Sequence, residues 1–325
     1  MRKSLLALAA AAAFALPSVA RAADDVVIAM GSISGSTYAL GIQVSEILRD
    51  KFPSISVDVK SGGALGNVLL VDKGRATFGH TSSGLAFSAY QGLEPFKDKA
   101  ENIRGMAKFM DSIFQFAILD SAPVKSFEEI KQQHYPLKLA VGPKGRENEL
   151  LSRRVLEAYG ITYDMIEDWG GRIEFVNIGD ASSLLRDGHI DAVTMLSGIP
   201  YGPITEITSA RPLRFLALND DVRKQLDADY GYVDATIQPG SYDGQDQAIG
   251  TIGGGVILVA NKDADAEVIY QATKWINSPE GIKSLGALSG GIRDYLTGPA
   301  AGRAGLPIPL HEGAARFYQE AGIQD

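Results

Sequence analysis

Val26–Leu40 reads VVIAMGSISGSTYAL, a short apolar, β-rich run, a glycine and serine loop, and the first turn of a segment with helical spacing. Leu40, Val44, Ile47 and Leu48 continue that spacing to Asp50, which predicts a helix from Thr37. The unit then repeats. Ser54–Lys60 alternates Ile55, Val57 and Val59 in strand period, Ser61-Gly62-Gly63 ends it, and Ala64–Lys73 reads as helix with Gly74 as a stop. Strand, glycine loop and helix in alternation predict βαβ units and a mainly parallel sheet. Ile113–Leu119 is a longer β-rich stretch, followed by Ser126-Phe127-Glu128-Glu129, a capping-box-like helix start.

Near residue 138 the pattern restarts. Lys138–Val141 reads as strand, Gly142–Gly145 as turn and Glu147–Tyr159 as helix; Ile173–Ile178, Ile190–Leu196 and Arg214–Leu218 read as strands, with a helix over Ala181–Asp187. Thr251–Val259 is a second long apolar run, and Gly253-Gly254-Gly255 inside it points to close backbone packing rather than phosphate binding. Helices are predicted at Ala266–Asn277 and Gly313–Glu320. No internal repeat stands out, although both halves share the same β–loop–α grammar.

Composition narrows the chemistry. The 325 residues are enough for about two domains. With no cysteine, disulfide scaffolds, cysteine-ligated metals and cysteine nucleophiles are excluded. The four histidines (His80, His134, His189, His311) lie far apart in sequence, and no metal site is expected. A formal net charge of −8 argues against a general nucleic-acid binder. Arg2 and Lys3, the apolar run Leu5–Leu16 and the Ala20-Arg21-Ala22 exit predict a secretory signal peptide over residues 1–22, the alternative being an uncleaved anchor. The expected location is the periplasm.

Candidate ligand contacts fall where strands give way to helices, because open α/β sheets collect ligands beyond the carboxyl ends of their strands. Gly31–Tyr38, Ser61–Gly63 and Thr81–Gly84 each combine glycine with hydroxyl side chains, and His80 sits beside the third. Each alone is equally an ordinary cap or turn; three in consecutive units suggest a shared site. In the second half the matching positions are Gly142–Asn148 and Ser197, with Arg146, Glu147 and Asn148 at the head of a helix. An arginine there opposes the helix dipole. It either faces an acidic ligand or pairs with Glu147 or Glu149. Tyr38, Phe87, Tyr201 and Tyr242 could form aromatic walls or simply pack. No G-x-S-x-G elbow, Walker loop or dinucleotide fingerprint occurs, so no catalytic residue and no cofactor are expected.

Gly31–Tyr38, Ser61-Gly62-Gly63 with Asn67, Val141–Gly145 with Leu156–Gly160, Asp187–Ala192, Gly198-Ile199-Pro200, Pro239–Gln245 and Ile308–Ala314 follow one another along the chain. This series resembles the TAXI-type solute receptors of TRAP transporters. The resemblance implies an α/β periplasmic-binding-protein fold (type II) with two lobes joined by two crossing strands, for which Ile113–Leu119 and Thr251–Val259 are the hinge candidates. The first lobe would comprise 23–115 and 255–325, and the second 116–254. It implies a monomer that captures a small organic anion, a carboxylate, dicarboxylate or glutamate-like solute, in the cleft between the lobes and hands it to TRAP membrane subunits. The implied contacts are Ser34, Ser36, Thr37, Tyr38, Ser61 and Asn67, joined by His80, Thr81, Ser82, Arg146, Glu147, Asn148 and Ser197 from the loops above. Two departures bear on the ligand. Ser82-Ser83-Gly84 stands where relatives carry a Gln-Ser-Asp-like run, and Arg146-Glu147-Asn148 where they carry Gly-Ser-Gly; both favour an anionic carboxylate over an amino acid. The alternatives are a periplasmic sensor using the same cleft and a secreted enzyme on the same scaffold.

Overall fold

The computed structural model describes residues 25–323, so the predicted signal peptide lies outside the described residues. The chain opens with β1 (Val26–Met30), α1 (Ser36–Lys51), β2 (Val57–Ser61), α2 (Ala64–Asp72), β3 (Phe78–Ser82) and α3 (Ser83–Gln91). The long β4 (Ile103–Leu119) leads to α4 (Phe127–Gln132), β5 (Lys138–Ala140), α5 (Glu147–Ala158), α6 (Tyr163–Asp168) and β6 (Arg172–Glu174). There follow α7 (Ile178–Arg186), β7 (Ala192–Ser197), α8 (Gly202–Ala210), β8 (Leu213–Phe215), α9 (Asp220–Tyr230) and β9 (Val233–Ile237). The second long strand, β10 (Ile249–Asn261), returns the chain to α10 (Ala266–Ile276), α11 (Pro279–Gly286), α12 (Gly290–Tyr295), α13 (Pro299–Arg303) and α14 (Glu312–Glu320).

All ten strands join one sheet, ordered β2-β1-β3-β10-β4-β7-β5-β6, with β8 on β4 and β9 on β10. The sheet is mixed, which corrects the mainly parallel expectation. β1 pairs in parallel with β2 and β3, and β5 with β6 and β7, but β4 and β10 pair antiparallel with each other and with every other strand they meet. The physical reason is the route of the chain. β4 leaves the first group of strands and β10 re-enters it in the opposite direction, and an apolar run does not encode its own direction.

β4 and β10 pair along Ile103–Ile113 and Gly253–Asn261; beyond that, β4 carries β7 and β8, and β10 carries β9. Four apolar clusters flank this sheet. Two gather around β1 and β10, and two around β5 and β7. At the passage between the halves the glycine run packs tightly. Gly255 donates its N–H to Ser83 Oγ at 2.8 Å, and a Cβ at Gly253 would meet the Ser112 carbonyl at 2.9 Å. Among the described residues no helix is long and apolar enough to cross a membrane.

One local device recurs in both halves. Asn67, four residues after Gly63, donates to the carbonyls of Met30 at the end of β1 and His80 in β3, at 3.2 and 3.0 Å. Asn148 in α5 donates to the carbonyls of Val141, just after β5, and Thr194 in β7, at 2.8 and 3.0 Å. A helical amide thereby ties two parallel strands together at their carboxyl ends, where no ladder bond remains to do so. The shared grammar of the two halves has this common structural element.

Candidate functional site between the sheet halves

The carboxyl ends of β1 and β2 present the helix starts of α1 and α2. Their caps, Gly35 and Gly63, have no side chain to bond the first-turn amides, so those N–H groups stay open to an anion. Ser34 and Ser61 are exposed, Ser36 and Thr37 half-buried, and none of these four hydroxyls bonds another described residue. Thr37 Oγ1 lies so close to Gly31 that a Cβ there would collide with it, at 2.1 Å. Tyr38 instead packs on the first-half core and sends its hydroxyl toward the Val59 carbonyl at 3.4 Å.

The third hydroxyl loop behaves differently. Thr81 is fully buried and donates to the Ala64 carbonyl at 3.1 Å. Ser82 caps α3, accepting from Leu85 N at 3.2 Å. His80 Nδ1 accepts from Asn67 Nδ2 at 2.9 Å, which assigns the ring proton to Nε2. Burial pushes this imidazole down to about 4, so it is neutral at pH 7.

From the second half, α5 points its amino terminus at these loops. Arg146 is its cap residue and offers no side-chain cap. Its Nη1 lies 3.8 Å from where a Cβ on Gly63 would stand, so the guanidinium reaches the first-half loops. Neither acidic neighbour claims it. Glu149 accepts from Gly145 N at 3.0 Å and Arg153 Nε at 3.3 Å, and Glu147 turns toward Gly84 and Ser82 of the first half. Of the two readings of this arginine, pairing with Glu147 or Glu149 is absent, and it makes no ion pair among the described residues.

Glu147 is packed against the first half, with Oε1 3.1 Å from the Cβ position of Gly84 and without a hydrogen-bond partner. Burial pushes its carboxyl up to about 7, against the opposing pull of Ser82 and Arg154. The native state therefore holds a proton that the unfolded chain releases near 4.5. Stability from this group is complete below about 4.5 and is lost as pH rises through about 7. Glu147→Gln should remove that dependence and gain roughly 1–3 kcal/mol over the native protein at pH 8. Thermal melts of both proteins from pH 4.5 to 8 check this; parallel curves would refute it.

Sequence reasoning missed Arg154. It lies on the stripe Glu147, Leu150, Leu151, Arg154 of α5, whose i, i+3, i+4, i+7 spacing marks it as inward-facing. Its guanidinium is buried and donates to Tyr232 Oη at 3.1 Å, Ser88 Oγ at 3.3 Å and the Glu94 carbonyl at 2.6 Å. Leu150 from the same stripe joins the first-half core cluster. A second missed network runs from Gln115 in β4. Its amide donates to Ser197 Oγ at 2.9 Å, Tyr242 Oη donates to its carbonyl oxygen at 2.6 Å, and Tyr201 N donates to Tyr242 Oη at 2.9 Å.

Two cavities frame the choice of site. A cavity of about 210 Å³ opens at the carboxyl ends of β5 and β7, lined by Pro143, Asn148, Ser197 and Tyr201 among others. A larger one, about 700 Å³, lies at the opposite edge among Asp25, Asp72, Lys73, Asn261 and Asp265. It contains none of the sequence-derived contacts and faces the amino end of β1, so volume does not decide here. The structure brings Ser61–Gly63, Ser82, Arg146 and Glu147 together, with Ser34, Ser36 and Thr37 on the same sheet edge. It places Asn67, Thr81 and Asn148 in backbone-bracing roles.

Among solved structures, the chain is similar to the periplasmic aliphatic sulphonate binding protein SsuA from Escherichia coli at 12% identity, covering 82% of this chain and 79% of that one with TM-score 0.46. It is similar to a TctC solute binding protein from Polaromonas at 15% identity (92% and 95% covered, TM-score 0.49). It is also similar to the periplasmic binding protein BugD at 16% identity (93% and 98% covered, TM-score 0.43). At the level of sequence the match is to the NMT1-like family over residues 28–322, and the chain belongs to that family.

Proposed function

We propose that this protein is a periplasmic solute-binding receptor of the TAXI type, which captures a small organic anion between two lobes and delivers it to TRAP membrane subunits. The observation that carries the reading is Arg146, a cation with no ion pair among the described residues, aimed from α5 at Gly63 beside the uncapped amino termini of α1 and α2. Positive helix ends and a planar guanidinium together suit a carboxylate, which an arginine can hold in two parallel bonds. The lobes are residues 23–115 with 255–325, and 116–254, and the hinge segments are the stretches of β4 and β10 at Ile113–Leu119 and Thr251–Val259. Ligand touching both lobes would hold them closed by its contacts to each.

Thermal-shift screening of the purified protein against organic anions, amino acids, neutral sugars and polyamines tests this. A ligand that binds only the native state at about a hundred times its Kd stabilises by about 2.7 kcal/mol. The largest shift is expected from an organic anion recovered chemically unchanged. A neutral or cationic best hit would sink the anion reading, and turnover of the hit would favour an enzyme.

A further inference from the structure

We infer that the 210 Å³ cavity of the second half is an apolar subsite, so that the ligand is a monocarboxylate carrying a compact alkyl chain rather than a dicarboxylate or an amino acid. This rests on the anion-receptor reading above and deepens it. The cavity is too small to enclose a whole drug-sized ligand, whose pockets run from about 300 Å³ upward, and suits one part of a smaller molecule.

Its wall decides which part. Val176, Ile178, Ala181, Val193, Met195 and Leu196 supply hydrocarbon. The polar side chains between them are engaged by the protein itself. Asn148 gives its N–H groups to Val141 and Thr194, and its Oδ1 is buried away from solvent without a hydrogen-bond partner. Thr194 Oγ1 pairs with Ser152 Oγ at 2.6 Å. Asn177 accepts from Asp180 N at 3.1 Å and donates to Asp180 Oδ2 at 2.7 Å. Ser197 Oγ accepts from Gln115 and donates to the Gly198 carbonyl at 3.2 Å. Only the Tyr201 hydroxyl and the buried Asn148 Oδ1 have no such partner among the described residues.

A second carboxylate placed here would lose its water and find no cation, since no Lys, Arg or His lines this cavity. An alkyl chain loses nothing by the same transfer. Arg146 lies in the loop between Pro143 and Asn148, two residues of the cavity wall. A carboxylate head at Arg146 therefore sits within reach of a tail in the cavity.

Calorimetric titration of the purified protein with propanoate, butanoate, pentanoate and hexanoate, and with succinate, glutarate and adipate, tests the subsite. Affinity is expected to rise roughly threefold to fourfold per added methylene until the cavity is full. Butanoate, pentanoate and hexanoate should also outbind succinate, glutarate and adipate respectively. Ile178→Ser, on the half-exposed part of the wall, should weaken hexanoate while leaving propanoate unchanged. A flat or falling monocarboxylate series, or tighter dicarboxylates, would overturn the subsite and leave the anion receptor standing. Binding by none of the seven acids would overturn both the subsite and the carboxylate reading.

Discussion

Arg154→Ala is expected to destabilise the protein by about 3–5 kcal/mol, which corresponds to a fall of roughly 6–15 °C in the midpoint of thermal unfolding. The side chain is 6% exposed and bonded to three acceptors, two of which, Ser88 Oγ and the Glu94 carbonyl, belong to the other half of the sheet. The Tyr230 ring stacks 4.0 Å from its guanidinium carbon. Truncation leaves acceptors unsatisfied and opens a void between α3, α5 and α9, and both effects act in the same direction. Arg154→Lys should recover only part of the loss, because one ammonium cannot reproduce the planar fork. The same truncation removes a positive neighbour of Glu147 and should move its titration to higher pH. Differential scanning calorimetry of the three proteins provides the check; a shift below about 2 °C for Arg154→Ala would show that the contact between the halves carries little energy.

Arg146→Ala should have the opposite profile. The residue is exposed and makes no ion pair, so the melting temperature of the unliganded protein should stay within about a degree, as surface changes of this kind cost little. Affinity for the best organic anion should nevertheless fall by about thirtyfold or more, in line with roughly 2 kcal/mol or above for a charge-assisted pair that loses one partner. Arg146→Lys should fall between, keeping the charge and losing the bidentate geometry. Titration of the screened anion against all three proteins reads this directly. Affinity unchanged within twofold would remove Arg146 from the site.

The local units were legible because strand period, glycine loop and helical spacing coincide in Val26–Lys73, where the structure follows the reading to within a few residues. The reading lost accuracy where polar residues sit in strands. Only Ile113–Leu119 of β4 was recognised, since Arg104, Lys108 and Asp111 interrupt the apolar pattern of the preceding stretch. Lys108 is nonetheless buried, held by Asp111 Oδ1 at 2.5 Å and over the Tyr295 ring at 4.6 Å. Ile173–Ile178 was read as strand throughout, but β6 stops at Glu174 because Asn177 caps α7 by accepting from Asp180 N.

For the site, glycine and hydroxyl loops gave away their position at the sheet edge, whereas their division of labour did not show. Asn67 and Asn148 resemble ligand contacts in sequence because an amide suits either a ligand or a strand end. Only the fold shows which carbonyls lie within reach. Arg154 and Tyr232 escaped notice because the partners of Arg154, namely Ser88, Glu94 and Tyr232, lie sixty or more residues from it along the chain.

The position of β10 has a consequence for how the molecule is made. This strand fills the place between β3 and β4, yet it is separated from β3 by the whole of the second half. Until β10 docks, β3 and much of β4 present open ladder edges, and the apolar residues that α10 and α14 later cover stay uncovered. Pairing at such sequence separation is slow to form and vulnerable to association while it waits. The residues 116–254 can close their own parallel strands earlier. Assembly would then run from the middle of the chain outward, β1, β2 and β3 being among the last strands to find their place.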